Sequence, residues 1–307
     1  MTDLATQPSS PHPAPSRIGP RTFRWGERTF VMGILNVTPD SFSGDGLLGG
    51  AGRDGDRTDS AVEAAVDAAR RMVDGGADLL DVGGESTRPG HAPVDADEER
   101  RRVVPVIAAI RAALPDTPLS VDTTKPAVAE AALAAGADLI NDVWGVGSDD
   151  ALPRLAADHG VPLVVMHNRA EPVYTSLLAE IVADLQRALD RALGLGVRWD
   201  DLIVDPGFGF GKTADHNLEV VRRLDVLRLL GRPVLLGASR KSTLGKVLDL
   251  PADQRLEATL ATTALGIAGG ADIVRVHDVR ANVRTARMAD AIVRASWSPG
   301  TGQGGSA

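Results

Sequence analysis

Short apolar runs alternate with longer amphipathic segments along most of this sequence. Each run has the length of a buried strand and leads into a polar or glycine-rich loop. In the longer segments, apolar residues recur about every 3.6 positions, as at Leu177, Ile181, Leu185 and Leu189, which predicts a helix with one buried face. We predict eight strands, at residues 30–35, 79–82, 119–121, 139–140, 163–165, 202–204, 234–236 and 273–276.

A repeated Gly-Ala-Asp triplet leads into several of these strands, first at residues 76–78. Glycine at that place is typical of the left-handed residue that ends a helix. Eight strand–helix units favour an α/β fold with a closed parallel sheet, a (β/α)8 TIM barrel, over an open sheet. We predict one barrel domain over residues 21–297. The flanking segments 1–20 and 298–307 are rich in Pro, Ser, Ala or Gly, so we expect them to be disordered tails.

The composition narrows the classes of function. The chain has 307 residues, 43% apolar and 24% charged, and its net charge is −8. This acidic balance argues against nucleic acid or an anionic membrane as the main partner. The absence of cysteine excludes disulfides, thiolate catalysis and cysteine-held zinc. No apolar run approaches the ~20 residues of a membrane span, and the first residues lack a charged-then-apolar signal, so we expect a cytoplasmic enzyme.

Polar or chargeable side chains follow every predicted strand. In a barrel these strand ends meet at one mouth, where active sites are built. A single buried Asn or His is more often a satisfied core residue, and His167 fits a core role as well as a site role. Polar residues at all eight ends are hard to explain by packing, so we predict a site at the mouth. The polar residues at the strand ends are Asn36, Glu85, Asp122, Asn141, His167, Asp205, Ser239, Arg275 and His277.

The segment 204–212, Val-Asp-Pro-Gly-Phe-Gly-Phe-Gly-Lys, ends a strand at a carboxylate. Pro206 stops the strand, and the glycines allow a ligand to approach the backbone closely. A Walker A loop is excluded because a proline stands where its first glycine is required. A dinucleotide-binding loop and a purely structural glycine turn stay open. The segment favours a planar nitrogen heterocycle whose ring edge meets Asp205.

Two predicted loops at the mouth are longer than a barrel requires. The first runs from Val37 to about Thr58 and contains six glycines. The second runs from Glu85 to about Asp95. Long loops at this end of a barrel are typical of lids or tolerated insertions.

Seven segments, in the same order, resemble the motifs of the dihydropteroate synthase family, the folate-pathway enzymes that sulfonamides target. The resemblance spans residues 32–292, most of the chain. Each motif alone is moderately specific, and the whole set leaves little room for chance. The segments are 32–43 (MGILNVTPDSFS), 81–90 (DVGGESTRPG), 120–123 (SVDT), 140–142 (IND), 205–212 (DPGFGFGK), 237–242 (GASRKS) and 275–278 (RVHD).

This resemblance implies a transferase. Such enzymes join (7,8-dihydropterin-6-yl)methyl diphosphate to p-aminobenzoate and release 7,8-dihydropteroate and diphosphate. Loss of diphosphate leaves a stabilised pterin cation that the arylamine attacks, so no protein nucleophile is required. The resemblance also implies Mg²⁺ as a cofactor and a homodimer formed through outer helices.

The resemblance further assigns parts of the substrates to residues of this sequence. The pterin would be held by Asp122, Asn141, Asp205 and Lys241. The diphosphate and Mg²⁺ would lie near Asn36, Thr87, Arg88, Arg275 and His277, with Asn36 as the metal ligand. The p-aminobenzoate would lie near Phe42, Ser43, Pro89, Phe210 and Ser242, with Asp40 at the stem of the first loop. The predicted catalytic residues are Asp122, Asp205, Lys241, Arg275 and His277.

Some of these residues also have structural interpretations. Asp122 and Asp205 would also serve as helix caps or turn carboxylates. Arg275 and His277 alternate along one strand and face the same side, where they would also serve as ion partners. The run 95–102 places acids before bases, which is typical of a solvated helix start, and it is assigned no chemistry.

Two other functions stay compatible with the motifs. A barrel that takes a methyl group from a folate and passes it to a corrinoid would share the pterin-binding residues. It would lack the elements at residues 42–43 and 239–241. A paralogue without turnover would keep the fold and act as a binding protein. Its support is that segment 44–46 reads Gly-Asp-Gly where family members usually read Asp-Gly-Gly.

Overall fold

The eight predicted strands form one parallel sheet that curls into a nearly closed barrel. The computed structural model describes residues 12–37, 54–85, 94–145 and 149–295. An antiparallel hairpin of two short strands precedes the barrel. Numbered along the chain, the strands are β1 Ser16–Ile18, β2 Arg21–Phe23, β3 Phe30–Asn36, β4 Leu79–Gly83, β5 Leu119–Asp122, β6 Leu139–Asp142, β7 Leu163–Met166, β8 Leu202–Asp205, β9 Leu235–Leu236 and β10 Ile273–Val276.

The order of strands in the barrel follows their order in the chain, because each helical crossover returns to the neighbouring position. The order is β8-β7-β6-β5-β4-β3-β10-β9. β8 and β9 meet through a parallel bridge between Val204 and Val234. There the Val204 amide donates to the Pro233 carbonyl at 2.9 Å. The predicted α/β barrel is therefore confirmed.

Helices connect the strands and cover the outside of the barrel. The α5 residues predicted to share a face are buried, among them Ile181, Leu185 and Leu189. Within the described ranges, no helix is long and apolar enough to cross a membrane. The helices are α1 Asp54–Asp74, α2 Ala96–Ala113, α3 Pro126–Ala134, α4 Ala151–His159, α5 Leu177–Gly194, α6 Ala214–Arg222, α7 Ser242–Leu248, α8 Leu256–Ala268 and α9 Val279–Val293, with 3-10 turns at Trp199–Asp201, Leu224–Leu230 and Ala252–Gln254.

The barrel interior changes from apolar to polar along the strands. Inner and outer positions alternate with a period of two. The inner residues Leu79, Ile203 and Ile273 belong to one buried apolar cluster. Two residues further along the same strands, the inner positions are polar. These positions are Asp81, Asp205 and Arg275.

The β1–β2 hairpin closes the N-terminal end of the barrel. Ile18, Phe23 and Trp25 are buried in the same cluster as the inner apolar residues, and the rings of Phe23 and Phe30 are 4.7 Å apart. The prediction of a disordered tail through residue 20 is therefore wrong for Ser16–Ile18. The apolar residues of this hairpin follow a segment rich in prolines and serines, and they are nevertheless buried in the barrel. Residues 1–11 and 298–307 lie outside the described residues.

The first long loop ends earlier than predicted. Helix α1 begins at Asp54, whereas the sequence placed residues up to about Thr58 in the loop. The polar residues at this end supply the first turns of the helix, where local apolar periodicity is not yet visible. Residues 38–53 lie outside the described part of the chain.

Candidate active site

The ends of β5, β6 and β8 place three polar side chains on the inner wall of the mouth. Asp122, Asn141 and Asp205 are 9%, 2% and 5% exposed. Asp122 and Asn141 are direct partners in the β5–β6 register. The structure thus brings these residues together, as the strand-end pattern predicted.

Arg275 links the carboxylates of two neighbouring strands. Its Nε donates to Asp81 Oδ2 at 2.5 Å, and its Nη2 donates to Asp122 Oδ2 at 2.6 Å. Asn141 Nδ2 also donates to Asp81 Oδ2, at 3.0 Å. Asp81 is fully buried, and its Oδ1 has no hydrogen-bond partner among the described residues. Arg275 is thus an ion partner, as one sequence interpretation held, and its partner Asp122 is a predicted pterin ligand.

Burial shifts the protonation of these groups. It raises the pKa of Asp122 to about 7, although the neighbouring Arg275 acts in the opposite direction. Burial also raises the pKa of Asp205, against the effect of Lys241. Burial acts to lower the pKa of Arg275, but Asp81 and Asp122 together raise it above its ordinary value. A ligand that brings N–H donors or positive charge would therefore favour the ionised carboxylates.

The glycine loop after β8 packs tightly against the main chain that follows β7. Asp205 Oδ1 accepts a hydrogen bond from the Gly207 amide at 2.7 Å. Gly207 and Gly211 have φ angles of 69° and 52°, and a Cβ on either would collide with the carbonyl oxygens of His167 and Arg169. The structural turn left open by the sequence is therefore real. It shapes the loop that carries the Asp205 carboxylate.

Lys241 lies against the same loop. Its Nζ donates to the Phe208 carbonyl and stands 4.3 Å from the centroid of the Phe210 ring. A Cβ on Gly209 would lie 2.9 Å from Lys241 Cδ, so glycine leaves room for the lysine stem. Burial lowers the pKa of Lys241 to about 8, against the effect of Asp205.

Ser239 and His277 connect the ends of β9 and β10. Ser239 Oγ lies 3.0 Å from His277 Nδ1 and accepts the His277 amide at 3.2 Å. Arg240 has a φ of 57°, and its guanidinium forms a two-point ion pair with Asp278, at 3.0 and 2.6 Å. These contacts position segments 239–241 and 275–278 side by side.

The family model described as "Pterin binding enzyme" matches residues 32–277. A dihydropteroate synthase of Clostridium beijerinckii is 48% identical over 279 residues, which cover 91% of this chain and 99% of that protein. The chain belongs to the dihydropteroate synthase family.

Solved structures of this family have the same fold. A dihydropteroate synthase from Clostridium difficile, crystallised in the presence of pteroic acid, has 47% identity and a TM-score of 0.82, over 89% of this chain and 99% of that one. The enzyme of Xanthomonas albilineans in complex with 7,8-dihydropteroate has 41% identity and a TM-score of 0.78, over 89% of this chain and 96% of that one. The family likeness therefore extends over the whole barrel.

The other predicted site residues fall into two groups. Asn36 ends β3 opposite Gly83, and Gly83 lies opposite Asp122, so these three residues share one level of the barrel. Ser242 is the first residue of α7 and directly follows Lys241. The remaining predictions lie outside the described residues and stay predictions. They are Asp40, Phe42, Ser43, Thr87, Arg88 and Pro89.

The structure adds Asp81 and Lys212 to the residues chosen from the sequence. Asp81 lies in the middle of β4, and the strand-end pattern covers only the polar residues where strands end. Lys212 Nζ lies 2.9 Å from His167 Nδ1 and 3.1 Å from the Phe210 carbonyl. One signal was available in the composition, because only four of the 33 lysines and arginines are lysines. Lys212 is one of these four lysines, and it directly follows the glycine loop.

Glu85 joins the two ends of the second loop. Its Oε1 accepts the Val94 amide at 3.1 Å, while its other oxygen binds Lys125. Lys125 also donates to the buried Glu99 at 2.5 Å. Glu85, chosen as a strand-end residue, therefore has a structural role at the base of this loop.

The donor set for a metal is sparse. The described ranges contain no cluster of three His, Cys, Asp or Glu side chains suited to a metal ion. Asn36 offers a neutral amide oxygen at the level of Asp122. Such a set fits an ion that keeps several waters and takes phosphate oxygens, which is the habit of Mg²⁺.

Proposed function

We propose that this enzyme condenses (7,8-dihydropterin-6-yl)methyl diphosphate with p-aminobenzoate to form 7,8-dihydropteroate and diphosphate. The observation that carries the proposal is the inner wall of Asp122, Asn141 and Asp205, two carboxyl groups and an amide buried at one mouth. Relatives that are 41–48% identical carry the name of this activity, and one of them is in complex with the product.

The pterin ring would be recognised along its edge. The aminopyrimidinone edge presents N–H donors, which buried carboxylates accept well. Asp205 Oδ1 already accepts the Gly207 amide, so its Oδ2 remains for the ligand. Asn141 and the ammonium of Lys241 would complement the acceptor atoms of the ring. The depth of Asp205, 5% exposed, would place the ring inside the mouth.

The reaction needs charge stabilisation rather than a protein nucleophile. The bond between the pterin CH₂ group and the diphosphate oxygen breaks, and its electron pair leaves with the diphosphate. The amine nitrogen of p-aminobenzoate then bonds to the CH₂ carbon, and a proton leaves that nitrogen. Asp122 and Asp205 would face the positive charge that develops on the pterin.

The leaving diphosphate would lie on the Arg275 and His277 side of the mouth. Arg275 Nε and Nη2 hold the two carboxylates, so Nη1 is the guanidinium nitrogen that would meet the diphosphate. We propose Asn36 as the protein ligand of Mg²⁺, with water and diphosphate oxygens completing the shell. A bound ion there would supply positive charge against the departing diphosphate.

The alternative of methyl transfer to a corrinoid has less support. Segment 239–241, which that class lacks, is present here. Its Lys241 donates to the Phe208 carbonyl of the glycine loop. An inactive paralogue is separated from an enzyme by turnover alone. The test is therefore an assay with both substrates and Mg²⁺, which should yield 7,8-dihydropteroate. Binding of the pterin without product would favour the paralogue.

We also propose a homodimer formed through outer helices. Leu265 on α8 and Met288 and Ile292 on the neighbouring α9 are 62%, 63% and 69% exposed. Exposed apolar side chains on adjacent helices are typical of an interface between subunits. Ile292→Asp should shift the mass measured by light scattering from dimer to monomer. Leu229→Asp, at a residue that is 80% exposed in a different segment, serves as the matched control.

The cytoplasmic location predicted from the sequence stays a prediction. Cell fractionation with an antibody to the chain would test it.

A further inference from the structure

Lys212 ends the glycine loop, and its ammonium contacts a ring nitrogen of the buried His167. The Nζ atom lies 2.9 Å from His167 Nδ1 and donates to the Phe210 carbonyl at 3.1 Å. His167 is 0% exposed. Its Nε2 lies 3.2 Å from Asp184 Oδ2 on α5. The Phe210 carbonyl, Lys212, His167 and Asp184 thus form one connected chain of polar contacts from the mouth to the outer helix.

The neighbours of His167 define its protonation. Burial lowers the pKa of His167 to about 4, and the charge of Lys212 acts in the same direction. The ring is therefore neutral at physiological pH. The Lys212 ammonium donates to His167 Nδ1, which must therefore carry a free lone pair. The single ring proton then lies on Nε2, which donates to Asp184. His167 thus serves as a fixed acceptor for Lys212, which is a structural role.

Two lysines hold alternate carbonyls of the loop. Lys241 donates to the Phe208 carbonyl, and Lys212 donates to the Phe210 carbonyl. Lys241 also places its charge over the Phe210 ring. Phe210 is therefore held at its main chain by one lysine and at its ring by the other.

Phe210 lies at the outer part of the loop. Phe208 is 0% exposed and Asp205 is 5% exposed, whereas Phe210 is half-buried. A pterin bound at Asp205 would leave Phe210 beside the second substrate, whose flat ring suits an aromatic neighbour. We propose that Lys212 is a positioning residue, which holds Phe210 at the mouth and thereby sets the affinity for p-aminobenzoate. This inference rests on the proposed function.

The charge of Lys212 depends on pH, and several groups face it. Burial lowers its pKa to about 7, Asp205 and Asp184 oppose this, and Lys241 and Arg169 add to it. A charged donor makes a hydrogen bond roughly twice as strong as a neutral one. The hold on Phe210 is therefore strongest below neutral pH and weakens as the amine loses its proton.

The test compares Lys212→Met with Lys246→Met, which removes a lysine from an exposed position of α7. Calorimetry measures the Kd for p-aminobenzoate with the enzyme saturated with 6-hydroxymethylpterin and diphosphate. Lys212→Met should raise this Kd about tenfold, the effect of losing a charged hydrogen bond, and leave the pterin Kd within about threefold. Lys246→Met should change neither value. Lys212→Gln, which keeps an uncharged donor, is measured in parallel in case the methionine variant does not fold.

The pH dependence gives a second readout. The wild-type Kd for p-aminobenzoate should begin to rise at about pH 7, and in Lys212→Gln this rise should start only near pH 8, where Lys241 loses its proton. An unchanged Kd for p-aminobenzoate in a folded Lys212 variant, or an equal loss of pterin affinity, would overturn the positioning role. Failure of the wild-type enzyme to form dihydropteroate would overturn the proposed function alone, because the binding measurement does not need turnover.

Discussion

Arg275 Nη2 donates to Asp122 Oδ2 at 2.6 Å, across 153 residues of chain. The same guanidinium holds the fully buried Asp81. Arg275 therefore pairs with two carboxyl groups that the barrel places at its mouth before any substrate arrives. A pterin would meet a site in which the negative charge is already partly balanced.

Removing this guanidinium should destabilise the empty enzyme. Arg275→Met leaves the buried Asp81 and Asp122 without their cation, and loss of one partner of a buried pair costs about 3 kcal/mol or more. Urea denaturation should show this loss in the free energy of unfolding, whereas Arg284→Met, at an exposed position of α9, should not. The double variant Asp81→Asn with Arg275→Met should recover part of the loss. Equal stability of Arg275→Met and wild type would show that the ion pairs contribute nothing.

Asp205→Asn should weaken pterin binding far more than p-aminobenzoate binding. One side-chain oxygen must continue to accept the Gly207 amide, so the new NH₂ group turns towards the ligand. A donor then faces the ring N–H groups, which costs on the order of 1–3 kcal/mol, or about fivefold to 150-fold in Kd. Calorimetry measures both affinities. Asp225→Asn, at an exposed residue, is the control, and an unchanged pterin Kd in Asp205→Asn would remove Asp205 from the site.

Pterin affinity should rise with pH up to neutrality. The pKa of Asp122 is about 7 in the folded protein against an ordinary 3.8, so the folded protein keeps a proton that the unfolded chain loses between these values. The stabilising contribution of this group is full below about pH 4 and is lost as pH rises towards 7. Ring N–H donors require the ionised carboxylate, so binding near about pH 6 should release a proton.

This release is measured from the dependence of the calorimetric enthalpy on the ionisation enthalpy of the buffer. Asp122→Asn should reduce it, and what remains would come from Asp205, whose pKa burial also raises. Proton uptake, or no exchange in the wild-type enzyme, would contradict the assignment.

Magnesium should bind weakly to the empty enzyme and tightly once diphosphate is present. Asn36 is a neutral ligand, and Mg²⁺ prefers phosphate oxygens and water to a sparse protein site. Equilibrium dialysis with and without diphosphate measures the difference, and Asn36→Ala should reduce only the binding that requires diphosphate. Tight binding of Mg²⁺ alone would mean that a carboxylate belongs to the first shell.

Much of the architecture was readable from local patterns. Apolar runs with polar ends predicted the eight strands, and the period of two along a strand predicted that Arg275 and His277 face the same side. These features depend on residues a few positions apart, so they are encoded within each segment. The β1–β2 hairpin was missed because its apolar residues acquire meaning only against the open end of the barrel.

The sequence by itself determined the barrel, the position of the mouth and the chemical types of the groups that line it. The tertiary structure alone decided which of these groups pair. Arg275 with Asp81 and Asp122, and Lys212 with His167, are partners separated by tens to hundreds of residues. Their contacts follow from the strand register and from the closure of the sheet, and neither is encoded in a local pattern. The pKa shifts belong to the tertiary structure for the same reason, because burial exists only once the barrel has closed around these side chains.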